Sequence, residues 1–173
     1  MRKILALMGI ALMISCGDPA KKEQANKYFD LKTYFEEESA RLQRVNPQVE
    51  KTVLVNANTE VKRLRIPNWK KEFEIFIAAD INKVNWAGLI HVSMTDTLVQ
   101  YTARSEKVFV KKLAVHRLHG VVKRIDIIVN RDNMLYNSAD TLTYVPDRFY
   151  SIKKQQNIRL LPSRSYAVSG KFM

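Results

Sequence analysis

The residues able to do chemistry are few and scattered. The chain has three histidines, one cysteine and five glycines. His116 and His119 stand three apart, a spacing that suits metal ligands on a helix. They lie in a strand pattern, however, where an odd separation sends side chains to opposite faces. His91 is remote, and no carboxylate cluster joins the three, so no metal site is expected. No Gly-x-Ser-x-Gly occurs, and Ser169-Gly170 reads as strand. Asp80, Asp96, Asp132, Asp140 and Asp147 sit mostly at expected turns, where Asp is favoured for local reasons. Asp126 interrupts an apolar strand and is expected to face solvent or pair with a basic neighbour. So few glycines leave no phosphate-cradling loop and no dinucleotide fingerprint. The pattern points away from an enzyme and from any cofactor. Trp69, Phe73, Phe76 and Trp86 form an aromatic cluster that is either core or the lip of an apolar pocket between helix and sheet.

Cys16 is the one reactive side chain with an informative position. Met1-Arg2-Lys3 is followed by an apolar run, Ile4 to Ile14, broken only by Gly9, and then by Ser15-Cys16. A basic start, an apolar stretch of about ten residues and a small residue at the cut describe a secretory signal peptide. A bilayer span would need about twenty apolar residues. Met13-Ile14-Ser15-Cys16 resembles the lipobox of bacterial lipoproteins, with Met13 where leucine is commonest. The resemblance covers the N-terminus only. It implies lipid attachment at the Cys16 thiol, cleavage just before it and acylation of the new amine. Residues 1–15 are then signal peptide, 16–22 a lipidated tether and 23–173 one domain. Several acyl chains make such an anchor durable, because each buried methylene contributes about 0.8 kcal/mol. The resemblance also places the protein in the cell envelope, and because no strongly acidic tract follows the cysteine the domain is expected to face the periplasm, on the outer rather than the inner membrane. Cys16→Ala is expected to abolish incorporation of labelled fatty acid and to leave the longer, uncut chain on a gel. Equal labelling of variant and wild type would remove this assignment.

Charge is the other broad signal. The chain carries 29 Lys+Arg against 17 Asp+Glu. Loss of Arg2 and Lys3 with the signal would leave 27 against 17, a net +10. The basic residues are spread through the chain and read first as solvated faces. They also suit attraction to anionic envelope material. Lys111, Lys112, Lys123 and Arg124 are expected on neighbouring strands joined at Gly120, where they could form one anionic-surface patch. Nucleic acid is not an expected partner of an exported, anchored protein.

The elements that must position these residues are legible from periodicity. Tyr28, Leu31, Phe35, Leu42 and Val45 lie along one stripe of a helix expected from about Lys21 to Val45, capped by Asp18-Pro19 and ended by Asn46-Pro47. Residues 49–56 and 59–66 read as a hairpin about Asn56-Ala57-Asn58. A second helix is expected from Trp69 to about Asp80, with Trp69, Phe73, Phe76 and Ile77 inward. From Leu89 onward apolar and polar residues alternate, as in Val99, Tyr101 and Ala103, or Tyr150 and Ile152, or Tyr166, Val168 and Phe172. Alternation means one buried and one wet face, which is typical of antiparallel sheets. Connections are expected at Thr95-Asp96, Ser105-Glu106, His119-Gly120, Asn130 to Asn133, Asn137 to Asp140, Pro146-Asp147 and Pro162-Ser163. The predicted fold is α+β: two helices in the N-terminal half packed on a long, curled, mainly antiparallel meander of six to eight strands.

Two functions follow. The first is a non-catalytic envelope protein that contacts a partner protein or an anionic membrane surface. The second is a module that holds a lipid or other apolar ligand in the curled sheet. In outline the second is similar to the lipoprotein-carrier half-barrels of the bacterial envelope. A filled core behind the second helix would favour the first, and a cavity of several hundred cubic ångströms the second.

Overall fold

The computed structural model describes residues 27–56, 58–158 and 164–173. The expected signal, Cys16, the Asp18-Pro19 cap and the Pro162-Ser163 connection lie outside the described residues. Helix α1 spans Leu31–Val45, so it begins ten residues after the expected Lys21 and one turn after Tyr28, where its apolar stripe starts. Asp30 decides this: its carboxylate accepts from the Thr33 amide at 2.9 Å and satisfies a donor left free at the helix start. Tyr28 therefore precedes the helix and packs edge-on to Tyr101. Leu31, Phe35 and Leu42 are buried, while Val45 is exposed at the helix end. Asn46 takes a left-handed conformation (φ 48°) and its amide bonds Leu42 O, closing the helix before Pro47.

The second predicted helix is two short ones, α2 (Trp69–Glu72) and α3 (Glu74–Ala78), hinged at Phe73. Asn68 caps α2 through the Lys71 amide at 2.9 Å. The inward spacing survives the hinge, so Trp69, Phe73 and Phe76 still point one way and are fully buried.

Among the described residues nine strands form one sheet, antiparallel throughout: β1 (Gln48–Val55), β2 (Asn58–Arg65), β3 (Ile90–Met94), β4 (Leu98–Ala103), β5 (Val110–Leu118), β6 (Val121–Asp132), β7 (Tyr136–Val145), β8 (Phe149–Ile158) and β9 (Arg164–Phe172). Their order is β2-β1-β9-β8-β7-β6-β5-β4-β3. The C-terminal part is the expected meander. The N-terminal hairpin joins through β1 and β9, with Val49 opposite Phe172 and Val55 opposite Tyr166. The sheet does not close, and strands β2 and β3 are its edges. β2 carries Glu60, Lys62, Arg63 and Arg65, charges that discourage pairing with a second chain.

One expected connection, at residues 137–140, is instead strand, and the one at 130–133 is turn only from Asn133. Asn130 and Arg131 continue β6, and residues 137–140 belong to β7, giving a long hairpin. The turn is held further along, where Asn133 Oδ1 accepts from the amides of Leu135 and Tyr136 at 2.9 and 3.0 Å. Asn and Asp at strand positions mimic turns in sequence, but here Ser138 and Asp140 share the inward parity of Leu142 and Tyr144.

The helices cover one face of the sheet. Trp69 stacks on Phe172 and meets Tyr150, Phe73 meets Tyr144 and Tyr150, and Phe35 meets Tyr144. Two buried polar latches fix the layers. The Tyr144 hydroxyl donates to Glu38, which also holds Arg41 at 2.6 Å. The Tyr150 hydroxyl donates to Glu72 at 2.6 Å, and Lys51 pairs with the same carboxylate at 2.7 Å. Burial and the neighbouring carboxylates push both tyrosines well above the usual phenol range. Both hydroxyls therefore remain donors. Among the described residues, no helix is long and apolar enough to cross a membrane.

Candidate functional site

An open groove runs beside α2 and α3 on the covered face. Its volume is about 620 Å³, within the ordinary range of ligand sites. The floor comes from strand alternation: Ile152 of β8 lies opposite Val168 of β9, and both point inward. Ile75 and Ala78 of α3 form the wall, and Ile66-Pro67-Asn68 closes one end. The helix stripe turns its large rings into the core, so its flank offers smaller apolar groups to the groove. Lys51, Lys71, Glu72 and Glu74 make a charged rim. The Lys51 ammonium there is already neutralised by Glu72.

Beyond Tyr166, which lines both, a second hollow of about 370 Å³ lies on the same strands. Lys154 lies directly across from Tyr166 and two residues beyond Ile152, hence on the same face. Val55, Gln156 and Arg164 complete its walls. On the far side of Lys154, its cross-strand partner Asp140 is 1% exposed and accepts from Arg131 at 3.2 Å. Burial outweighs the opposing pull of Lys154 and Arg131 and holds the Asp140 carboxyl above its usual range. Asp140 Oδ1 and the buried Ser138 hydroxyl have no hydrogen-bond partner among the described residues.

Trp69, Phe73, Phe76 and Trp86 are packed at 0–2% exposure. Trp69, Phe73 and Phe76 pack on one another, whereas Trp86 packs edge-on against Phe109; none of the four lines the groove. Of the four basic residues at the β5–β6 hairpin, two are engaged by carboxylates. Lys111 pairs with Glu106 at 2.5 Å, and Arg124 with Asp126 at 2.6 Å. Lys112 pairs in register with Ile128 and Arg124 with His116, four positions apart, or roughly 13 Å along the strand. Lys123 falls at the register shift beside them. Asp126 pairs with a basic neighbour, as one of the two expectations had it, and also accepts from Thr143 at 2.9 Å. Burial raises its carboxyl, but Arg124 and Thr143 outweigh this and lower it overall. His91 contacts Arg104 and His116 faces Asp126, whereas His119 sits in the β5–β6 turn at φ 50°.

The sequence did not mark Lys51, Ile75, Ala78, Ile152, Lys154, Tyr166 or Val168 as a site. Its parity put Ile152, Tyr166 and Val168 on inward faces, but their pairing across β8 and β9 carries no local signal. Comparison with protein-family models, curated proteins and solved structures finds no match for this chain.

Proposed function

We propose that the chain is a lipid-anchored protein of the bacterial cell envelope whose domain is a non-catalytic binding module for an apolar chain. In this reading the fold is α+β, with the helices forming a partial lid over a curled sheet. The lipobox-like N-terminus supports the anchor, with the domain facing the periplasm. The groove of about 620 Å³ beside α2 and α3 carries the binding reading. Its lining is mainly aliphatic and its charges sit on the rim, which suits a ligand with an apolar body. Contact with an anionic surface is less well supported, because Lys111 and Arg124 are already engaged by carboxylates.

Ala78 tests this reading, being exposed, on α3, and turned to the groove. Ala78→Trp should fill the groove and leave the buried face of the helix alone. Protein extracted from envelopes in mild detergent is expected to carry co-purifying lipid, measured by mass spectrometry after solvent extraction. The variant should carry roughly tenfold less, the change that about 1.4 kcal/mol of lost affinity would give. Equal lipid on both proteins would remove the groove as the binding site.

A further inference from the structure

The two hollows that meet at Tyr166 differ chemically. At the α2 end the Lys51 ammonium is satisfied by Glu72, which also takes the Tyr150 hydroxyl. At the Tyr166 end the hollow walled by Lys154, Gln156 and Arg164 has no carboxylate in its lining among the described residues. Asp140 is the nearest described acid on that face, and Arg131 is its closer partner, at 3.2 Å against 4.0 Å for Lys154. An ammonium has three donors, so Lys154 keeps capacity for another acceptor. The apolar floor thus leads from Ile152 and Val168 to a cationic end within one strand step.

From this gradient we infer that the ligand is a single-chain amphiphile with an anionic head, held by Lys154 and Arg164, and with its chain along Ile152, Val168 and Ile75. This rests on the apolar-chain reading above and adds the head group and the orientation. Charge-assisted hydrogen bonds to a carboxylate or phosphate are the stronger class, and a partly buried cation is the place to make them. The two head chemistries are alternatives that share this site.

Photocrosslinking tests the inference on the full chain held in vesicles of a neutral zwitterionic lipid. Three single-chain probes carry a diazirine near the methyl end and differ only in the head: carboxylate, phosphate monoester or neutral alcohol. Labelling of peptides containing Ile75, Ile152 and Val168 is read by mass spectrometry as a share of all labelling on the chain, which corrects for unequal membrane partition. At least one anionic probe should exceed the alcohol about tenfold, and the better of the two identifies the head. Lys154→Gln/Arg164→Gln should erase that preference and leave alcohol labelling unchanged, while Ala78→Trp should lower labelling by all three. Equal labelling by acid, phosphate and alcohol in the wild type would overturn the head-group site and leave the apolar-chain reading standing. A preference that survives in the double variant would also overturn it. No groove labelling by any probe would overturn both.

Discussion

Gly170→Ala is expected to destabilise the fold by about 3 kcal/mol, lowering Tm by roughly 6–12 °C. Gly170 of β9 lies between Tyr150 of β8 and Lys51 of β1. Its inward side has no room, because the Tyr150 ring lies across it. An added Cβ would stand 2.1 Å from Tyr150 Cε1 and 2.4 Å from Cζ. The ring cannot swing away cheaply. It is fully buried, packs edge-on against Trp69 and Phe73, and donates through its hydroxyl to Glu72. Thermal melts followed by circular dichroism would measure the loss. A double-mutant cycle gives the cause: with Tyr150→Leu already present, the glycine change should cost much less. Strict additivity of the two substitutions would show that the ring clash is not the reason.

Phe73→Ala is expected to cost about 3–5 kcal/mol, the range for removing a buried aromatic ring. Phe73 occupies the hinge between α2 and α3 and meets five rings: Phe35, Trp69, Phe76, Tyr144 and Tyr150. Its loss opens a cavity where both short helices meet the sheet, and helices this short have little stability of their own. Phe73→Leu should retain more than half of what alanine loses, since it keeps part of the volume. The same measurement separates the two sequence readings of the aromatic cluster. A ring at the lip of a pocket could be truncated with little effect on Tm, whereas a core ring cannot. Ala78→Trp, on the flank of the same helix pair, is the matched control and should shift Tm little. A Tm for Phe73→Ala close to wild type would return that residue to the pocket lip.

What the sequence determined by itself was local. Alternating parity placed Val99, Tyr101, Tyr150, Ile152 and Val168 on inward faces because a strand repeats every two residues. Helical spacing did the same for Leu31, Phe35, Trp69, Phe73 and Phe76. His119-Gly120 marked a turn because positive φ is easiest for glycine and a few polar residues. Local rules also misplaced elements. The helix expected from about Lys21 starts only at Leu31, where Asp30 caps it. Asn130 and residues 137–140 looked like turns, but they lie in β6 and β7. Only the tertiary structure decided that β1 pairs with β9, since that contact joins opposite ends of the chain and leaves no periodic trace in either. The groove and its polarity are of the same kind. Ile75, Ile152, Val168, Lys154 and Arg164 come from α3, β8 and β9, and only the register of those strands and the seat of α3 bring them together. Asp140 shows the reason most plainly. An aspartate in a polar stretch reads as a turn residue, and it is buried here because Arg131 and Lys154, on the strands to either side, supply the charge that makes burial tolerable.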